Sequence, residues 1–301
     1  MPFSSSKLHA QPTRHPHASA VGGYGRRAAL FGAASALGLP ALAQAGAAST
    51  VLAIGGSGAA VSTIPALQAA LPQVEPAMEL RVFPNLGSTG GIAALLAGAI
   101  DIAISARPLD ARESQAGARS LVYARTALAF ATHHETPVSA ISMPDVLRIF
   151  AGTLTEWLDG NPIRIVRRPE SSGDMRTLAA VSPALAQAIR AMWQRPGLRM
   201  AGNSHDSFDA LQAIPGSFGV IALTHVLAAR RRLTLLTLDG VTPTTAALRA
   251  GRYPIVKTFH VVTRADPSPA VVAFRDCLIS ATARPILMAL GMNPENAEPA
   301  E

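Results

Sequence analysis

Three segments of this chain share one construction: "IGGSGAAVS" from residue 54, "NLGSTGGIAAL" from residue 85 and "ESSGDMRTL" from residue 170. Each follows a short apolar run with strand character. Each precedes a run with helical spacing, and each puts Gly and Ser between the two. A strand that turns on glycine and serine directly into a helix is the repeating unit of an α/β fold. The same turn exposes the unpaired N–H groups and partial positive charge of a helix start. One such turn is an ordinary helix cap. Three in one chain, with Arg168 just ahead of the third, form a set able to surround a small oxyanion with dipoles and one guanidinium.

The rest of the chain fits the same plan. Apolar strand-like runs occur at 78–83, 101–109, 163–167, 218–225 and 232–240, and helical spacing at 60–71, 92–100, 142–157 and 268–280. Two long apolar runs, "LVYARTALAFAT" (121–132) and "YPIVKTFHVVTR" (253–264), are long enough to pass between two lobes. The expected division is one lobe from 49–125 plus 255–292 and a second from 126–254. A flexible Pro/Glu/Ala-rich tail follows over 293–301.

The first 43 residues read as an export signal. They contain Lys7, Arg14, Arg26 and Arg27 and no acid. Arg26-Arg27 precede a mildly apolar stretch too short for a bilayer span of roughly 20 residues. The stretch ends in "ALA", a small-x-small cleavage pattern near Ala43. The paired arginines resemble a twin-arginine signal, although Gly25 and Ala29 depart from its usual residues and leave the ordinary secretory route open. The expected location is the periplasm. Without this segment the formal charge falls from +7 to +3, with 22 basic and 19 acidic residues. No long basic stripe remains, which argues against nucleic acid as a partner. The run Arg230-Arg231-Arg232 reads as a solvated helix end.

Catalytic and metal readings fit less well. No phosphate loop ending in Gly-Lys-Ser/Thr is present, and "GGSGA" has Ala59 where a nucleophile elbow needs its last glycine. His133 and His134 are adjacent, so their side chains are expected to diverge, and no metal site is assigned. His205 and Asp206 read as loop and helix-cap residues. The lone Cys277 sits in an apolar helical run and reads as a buried core thiol. No enzyme activity and no cofactor are expected.

The motifs together resemble the periplasmic phosphate-binding proteins, the soluble receptors of a phosphate ABC transporter. The resemblance covers nearly all of the chain after the leader. It is carried by "NLGSTGGIAALLAGAIDIAISARPL", "MPDVLRIFAGTLTEWLDGNPIRIVRRPESSGD", "LQAIPGSFGVIAL" and "GRYPIVKTFHVVTR". It implies a type II periplasmic binding protein fold: two α/β lobes, two crossover strands and a ligand in the cleft. It implies phosphate or a similar oxyanion as ligand, an inner-membrane ABC permease as partner, and a monomer. It also implies roles for single residues. Ser88 is the anion-binding serine, Arg168 meets the phosphate, and Glu170 is the acid that orients this arginine. Ser172 and Gly173 are donors at the third helix start. Ser57, Gly58 and Ala59 form the first loop, and Asp101 is structural.

Three positions depart from the family pattern. Ala106 stands where many members have an aspartate that accepts phosphate's proton. Asp174 stands where the Ser-Gly-Thr loop has its threonine, and Gly58 where the first loop has one. Two readings of Asp174 stay open. It is a relocated proton acceptor, or it is an outward-facing acid in the first turn of a helix. The alternative function is a sensor or interaction module that keeps the scaffold, with a different small ligand and no transport role.

Overall fold

The computed structural model describes residues 50–70, 78–230 and 232–295. The export segment and residues 296–301 lie outside them. Along the chain the elements are β1 Thr50–Gly56, α1 Gly58–Val61, α2 Ile64–Ala70, β2 Met78–Phe83, α3 Gly87–Leu96 and β3 Ile102–Ser105. Then come α4 Ala111–Gln115, β4 Ala118–Thr132, β5 Ala140–Ile141, α5 Met143–Ala151, β6 Arg164–Arg167 and α6 Gly173–Ala179. They are followed by α7 Pro183–Gln194, β7 Arg199–Met200, α8 Ser204–Ala213, β8 Ser217–Ala222, α9 Leu223–Ala229 and β9 Thr234–Leu235. The last are β10 Thr237–Leu238, α10 Thr245–Arg249, β11 Val256–Arg264, α11 Pro269–Leu278, α12 Ala283–Ala289 and β12 Met292–Pro294.

The main sheet runs β2-β1-β3-β11-β4-β8-β6-β7. β1 pairs in parallel with β2 and β3, and β6 in parallel with β7 and β8. The middle is antiparallel and built on β4, the 15-residue strand. Its first part, up to Ala127, pairs with β11, and Leu128–Ala131 pair with β8. This is the mixed α/β sheet of a type II periplasmic binding protein, with long strands at its centre.

The apolar core follows the same plan. One cluster gathers Leu52, Ile54, Ile104, Tyr123, Phe259 and Phe274, and ends along β4 at Ala124. Another gathers Phe130, Phe150, Trp157, Ile189 and Phe218, and starts along β4 at Ala127. The helices start where the sequence marks them. Ser142, Ser182 and Ser268 each accept a backbone N–H through the side chain, and each is followed within two residues by proline. Gly152 ends α5 at φ 84, a left-handed conformation suited to glycine.

Several elements differ from the sequence reading. The helix expected over 60–71 is two helices. Ser62 Oγ and Thr63 Oγ1 donate to the carbonyls of Ala59 and Ala60 at 2.8 and 2.6 Å, local bonds that compete with helix continuation. α3 starts inside its Gly/Ser turn at Gly87, five residues before the apolar run. The run 218–225 is a strand only to Ala222, because Leu223 opens α9, where Thr224 N–H donates to Thr126 Oγ1 at 3.3 Å. The segment 232–240 holds two strands of two residues each, and β11 begins at Val256. The tail expected from residue 293 begins in the sheet. Met292–Pro294 pair with Ala124–Thr126. Glu295 N–H donates to the Tyr123 carbonyl at 3.0 Å, and its carboxylate pairs with Arg125 at 2.6 Å. Cys277 is half-buried against the first core cluster and not enclosed by it. Arg230 closes α9 in the left-handed region at φ 51, as a helix end.

Candidate functional site

The Gly/Ser turns converge on one hollow of about 180 Å³. Its walls include Ser57 and Gly58 at the start of α1, Gly87 and Ser88 at the start of α3, and Ser172 and Gly173 at the start of α6. Ala106, Arg168 and Asp174 also face it.

The placement of the first turn depends on Gly56. Its φ is +130°, and a Cβ there would lie 2.1 Å from the Ile104 carbonyl oxygen. Only glycine lets β1 end so close to β3. The close approach carries Ser57 N–H to Ile104 O at 2.7 Å, and so places Ser57 at the hollow. Ser88 is held from the other side. Its Oγ accepts the Ala106 N–H at 2.9 Å, tying α3 to the end of β3. Because that oxygen accepts from the backbone, its own hydroxyl hydrogen remains for a ligand. Ser172 caps α6 by accepting Met175 N–H at 3.3 Å. Asp101, read as structural, braces the sheet: its Oδ2 accepts Ala53 N–H at 2.8 Å.

The charges lie deepest. Arg168 is 6% exposed. Its Nη1 donates to the Ala201 carbonyl at 3.4 Å, and its Nε lies 3.4 Å from Asp174 Oδ2 without hydrogen-bond geometry. A guanidinium has five N–H donors, so most of this one's capacity is unspent. Burial pushes the Arg168 pKa down, opposed by the Asp174 and Asp206 carboxylates. Asp174 is 4% exposed. Lys257 Nζ, from the start of β11, donates to Asp174 Oδ1. Burial alone would raise the Asp174 pKa. The charges of Lys257 and Arg168 outweigh it, and the carboxyl is held below its ordinary range.

Two expected members stand apart. Ala59 is buried in the first core cluster and does not face the hollow. Glu170 is exposed, and the carboxylate beside Arg168 is Asp174. The turn accounts for this: Ser172 N–H bonds to the Pro169 carbonyl at 2.9 Å, leaving Glu170 on the outside of the bend. Asp174 therefore does not face outward: Lys257 donates to its Oδ1, and its Oδ2 lies 3.4 Å from Arg168 Nε without hydrogen-bond geometry.

Other residues complete the hollow. Lys257 is buried in the apolar run of β11. Arg176, Asn85 and the segment Gly202–Ser204 also line the walls. Asn203 caps α8 by accepting Asp206 N–H at 3.0 Å, which brings a fourth helix start to the site. Asp206 is a cap-region acid, as read, and its Oδ2 accepts Gly202 N–H at 3.1 Å. Behind it, His225 stacks on Phe208 with an interplanar angle of 12°, and its Nδ1 is buried without a hydrogen-bond partner. Burial, with the adjacent His205 and Lys257, pushes the His225 pKa down to about 4.

His133 and His134 do not diverge. Their ring centroids lie 4.4 Å apart, in a turn closed by Thr136 N–H to the His133 carbonyl at 3.0 Å. With Glu135 they bring three ligand-type atoms within 4.8 Å. The turn already uses His133 Nδ1, which accepts Glu135 N–H at 3.2 Å.

Comparison with known proteins agrees with this architecture. The chain is 26% identical over 212 residues to the phosphate-binding protein PstS of Borreliella burgdorferi, covering 67% of this chain and 75% of that protein. It is 28% identical over 244 residues to PstS of Bacillus subtilis, covering 77% and 76%. A substrate-binding protein from Clostridium perfringens, solved with bound phosphate, superposes at TM-score 0.69 with 20% identity, over 82% of this chain and all of that one. A periplasmic phosphate-binding protein solved with phosphate at pH 8.5 gives 0.62 with 16% identity, over 82% and 91%. These structures share the fold. The model of the PBP superfamily domain matches residues 43–282. The chain belongs to the PBP superfamily.

Proposed function

We propose that this chain is an extracytoplasmic receptor that captures phosphate, or a closely related oxyanion, and delivers it to an ABC transporter in the inner membrane. The observation that carries this reading is the meeting of Arg168 and Lys257 with four helix starts lined by Ser, Gly and Asn around one hollow of about 180 Å³. Unpaired N–H groups and buried cations recognise an oxyanion without any reacting group. The curated relatives named PstS support phosphate as the ion. The ligand-binding residues in this reading are Ser57, Gly58, Ser88, Arg168, Ser172 and Gly173, with Lys257 and Asp174 setting the charge.

The lobes are residues 49–125 with 255–292, and residues 126–254. The change of core cluster between Ala124 and Ala127 supports this division. Closure of one lobe on the other around the ion is the working motion. Residues 1–43 direct export and are removed near Ala43; the family match begins at that residue. The receptor acts as a monomer and has no catalytic role. Isothermal titration of the purified protein with inorganic phosphate tests the reading. One site per chain at micromolar affinity or tighter is expected, and no measurable heat or competition at millimolar phosphate would falsify it.

A further inference from the structure

Asp174 and Arg176 leave α6 two residues apart, and side chains at that spacing do not share a helix face. Asp174 turns inward to Lys257. Met175 and Leu178 pack into the core cluster of Phe130 and Phe218. Arg176 is exposed, yet it lines the anion hollow as well as a wider one of about 620 Å³ beside it. Side chains lean toward the N-terminus of their helix, and that end of α6 carries Ser172 and Gly173. No side-chain hydrogen bond or ion pair engages Arg176 among the described residues. Across the wider hollow, Arg107 is already spent: it donates to both Glu113 oxygens at 2.7 and 2.5 Å. Burial pushes the Arg176 pKa down, as does Arg107, and Glu113 opposes them. As a unit the Arg107–Glu113 pair is neutral, so it offers no net charge to draw Arg176 away from the anion hollow.

Charge gives this free guanidinium a task. The ionisable side chains lining the anion hollow are Arg168, Asp174, Arg176 and Lys257. At the floor, the two cations Arg168 and Lys257 against the one carboxylate of Asp174 leave a single net positive charge. Inorganic phosphate at pH 7.5 is mainly a dianion. Arg176 is the remaining cation in the lining, and it brings the total to two. Its planar fork of donors matches two oxygens of a tetrahedral anion.

We infer that Arg176 is a second anion-binding cation, whose guanidinium turns onto the outward oxygens of the bound ion while Arg168 holds the inner ones. This rests on the oxyanion reading above. The test is titration of the parent protein and of Arg176→Gln with inorganic phosphate at pH 7.5, in 0.1 M and in 1 M sodium chloride. Between those salts the screening length falls from about 10 Å to about 3 Å, which removes the influence of a charge that acts only from a distance. A direct contact survives it. Arg176→Gln is expected to weaken phosphate by about tenfold or more in 0.1 M salt, and by at least about fivefold in 1 M salt. A loss below about twofold at either salt overturns the inference, because Arg176 is then a solvated surface charge or steers the ion from afar. That outcome leaves the phosphate reading standing. Failure of the parent to bind phosphate removes both. Should Arg176→Gln lack a cooperative melting transition, Arg176→Lys decides, since it keeps the charge and loses the fork. At least about threefold weaker binding is then expected, and binding equal to the parent overturns the inference.

Discussion

Lys257 and Asp174 lie 83 residues apart in the chain and form a buried ion pair at the floor of the anion hollow. The pair joins β11 to the first turn of α6. It sets the net charge offered to a ligand. Removing one partner strands the other. Lys257→Met is expected to lower stability by about 3–5 kcal/mol, and Lys257→Met with Asp174→Leu to recover most of it. Urea unfolding of the two variants checks this. A single variant as stable as the parent would show that the pair is not closed in solution.

Ser88 and Glu170 make a contrasting pair. Ser88 Oγ is anchored to Ala106 with its hydroxyl hydrogen free for the ligand, whereas Glu170 is exposed away from Arg168. Ser88→Ala is expected to weaken phosphate by roughly tenfold, the worth of one hydrogen bond at about 1.4 kcal/mol. Glu170→Gln should leave affinity within twofold. Titration calorimetry of both variants tests the assignment, and the reverse order would place Glu170 in the site.

Acid should destabilise the fold through His225. Its pKa is ordinary in the unfolded chain, near 6.5, and about 4 in the folded one. Between those values the unfolded chain binds more protons, so stability is full above pH 6.5 and is lost as pH falls toward 4. The loss approaches roughly 3 kcal/mol. The Asp174 pKa is also depressed, so its contribution persists through that window and is lost only below the ordinary carboxylate range. His225→Phe keeps the stacking on Phe208 and removes the titration. Urea midpoints at pH 7.5 and 4.5 should differ clearly less in this variant than in the parent.

Gly56→Ala should be among the costliest small substitutions in the chain. It combines a positive φ with a Cβ 2.1 Å from Ile104 O. A loss on the order of 3 kcal/mol or more is expected, read by thermal melting, with weakened phosphate binding because Ser57 moves with the turn.

The fold was legible because its elements carry local signals. Gly/Ser turns between strand and helix patterns mark β1–α1 and β6–α6, and a Ser-Pro pair marks the start of α11. The site was partly legible for the same reason, since Ser57, Ser88 and Ser172 sit in those turns. Lys257 was not, although a signal existed. It lies in phase with Phe259 and Val261 on the buried face of a strand, and a buried lysine requires a partner. That partner, Asp174, is set by tertiary packing that no local pattern encodes. Glu170 misled for the opposite reason. The family resemblance placed it beside Arg168, and the bend at Pro169 turned it outward. His205 and Asp206 read as plain loop and helix-cap residues, and only the packing of α8 against α1 brings the neighbouring Gly202–Ser204 to the hollow.

The central claim is that the Arg168 guanidinium, buried with most of its donors unspent, is the group that holds the anion. Titration calorimetry of Arg168→Ala with phosphate tests it most directly, alongside a melting curve showing that the variant is folded. The account predicts that affinity falls by about a hundredfold or more. A folded Arg168→Ala protein that binds phosphate as tightly as the parent would contradict it.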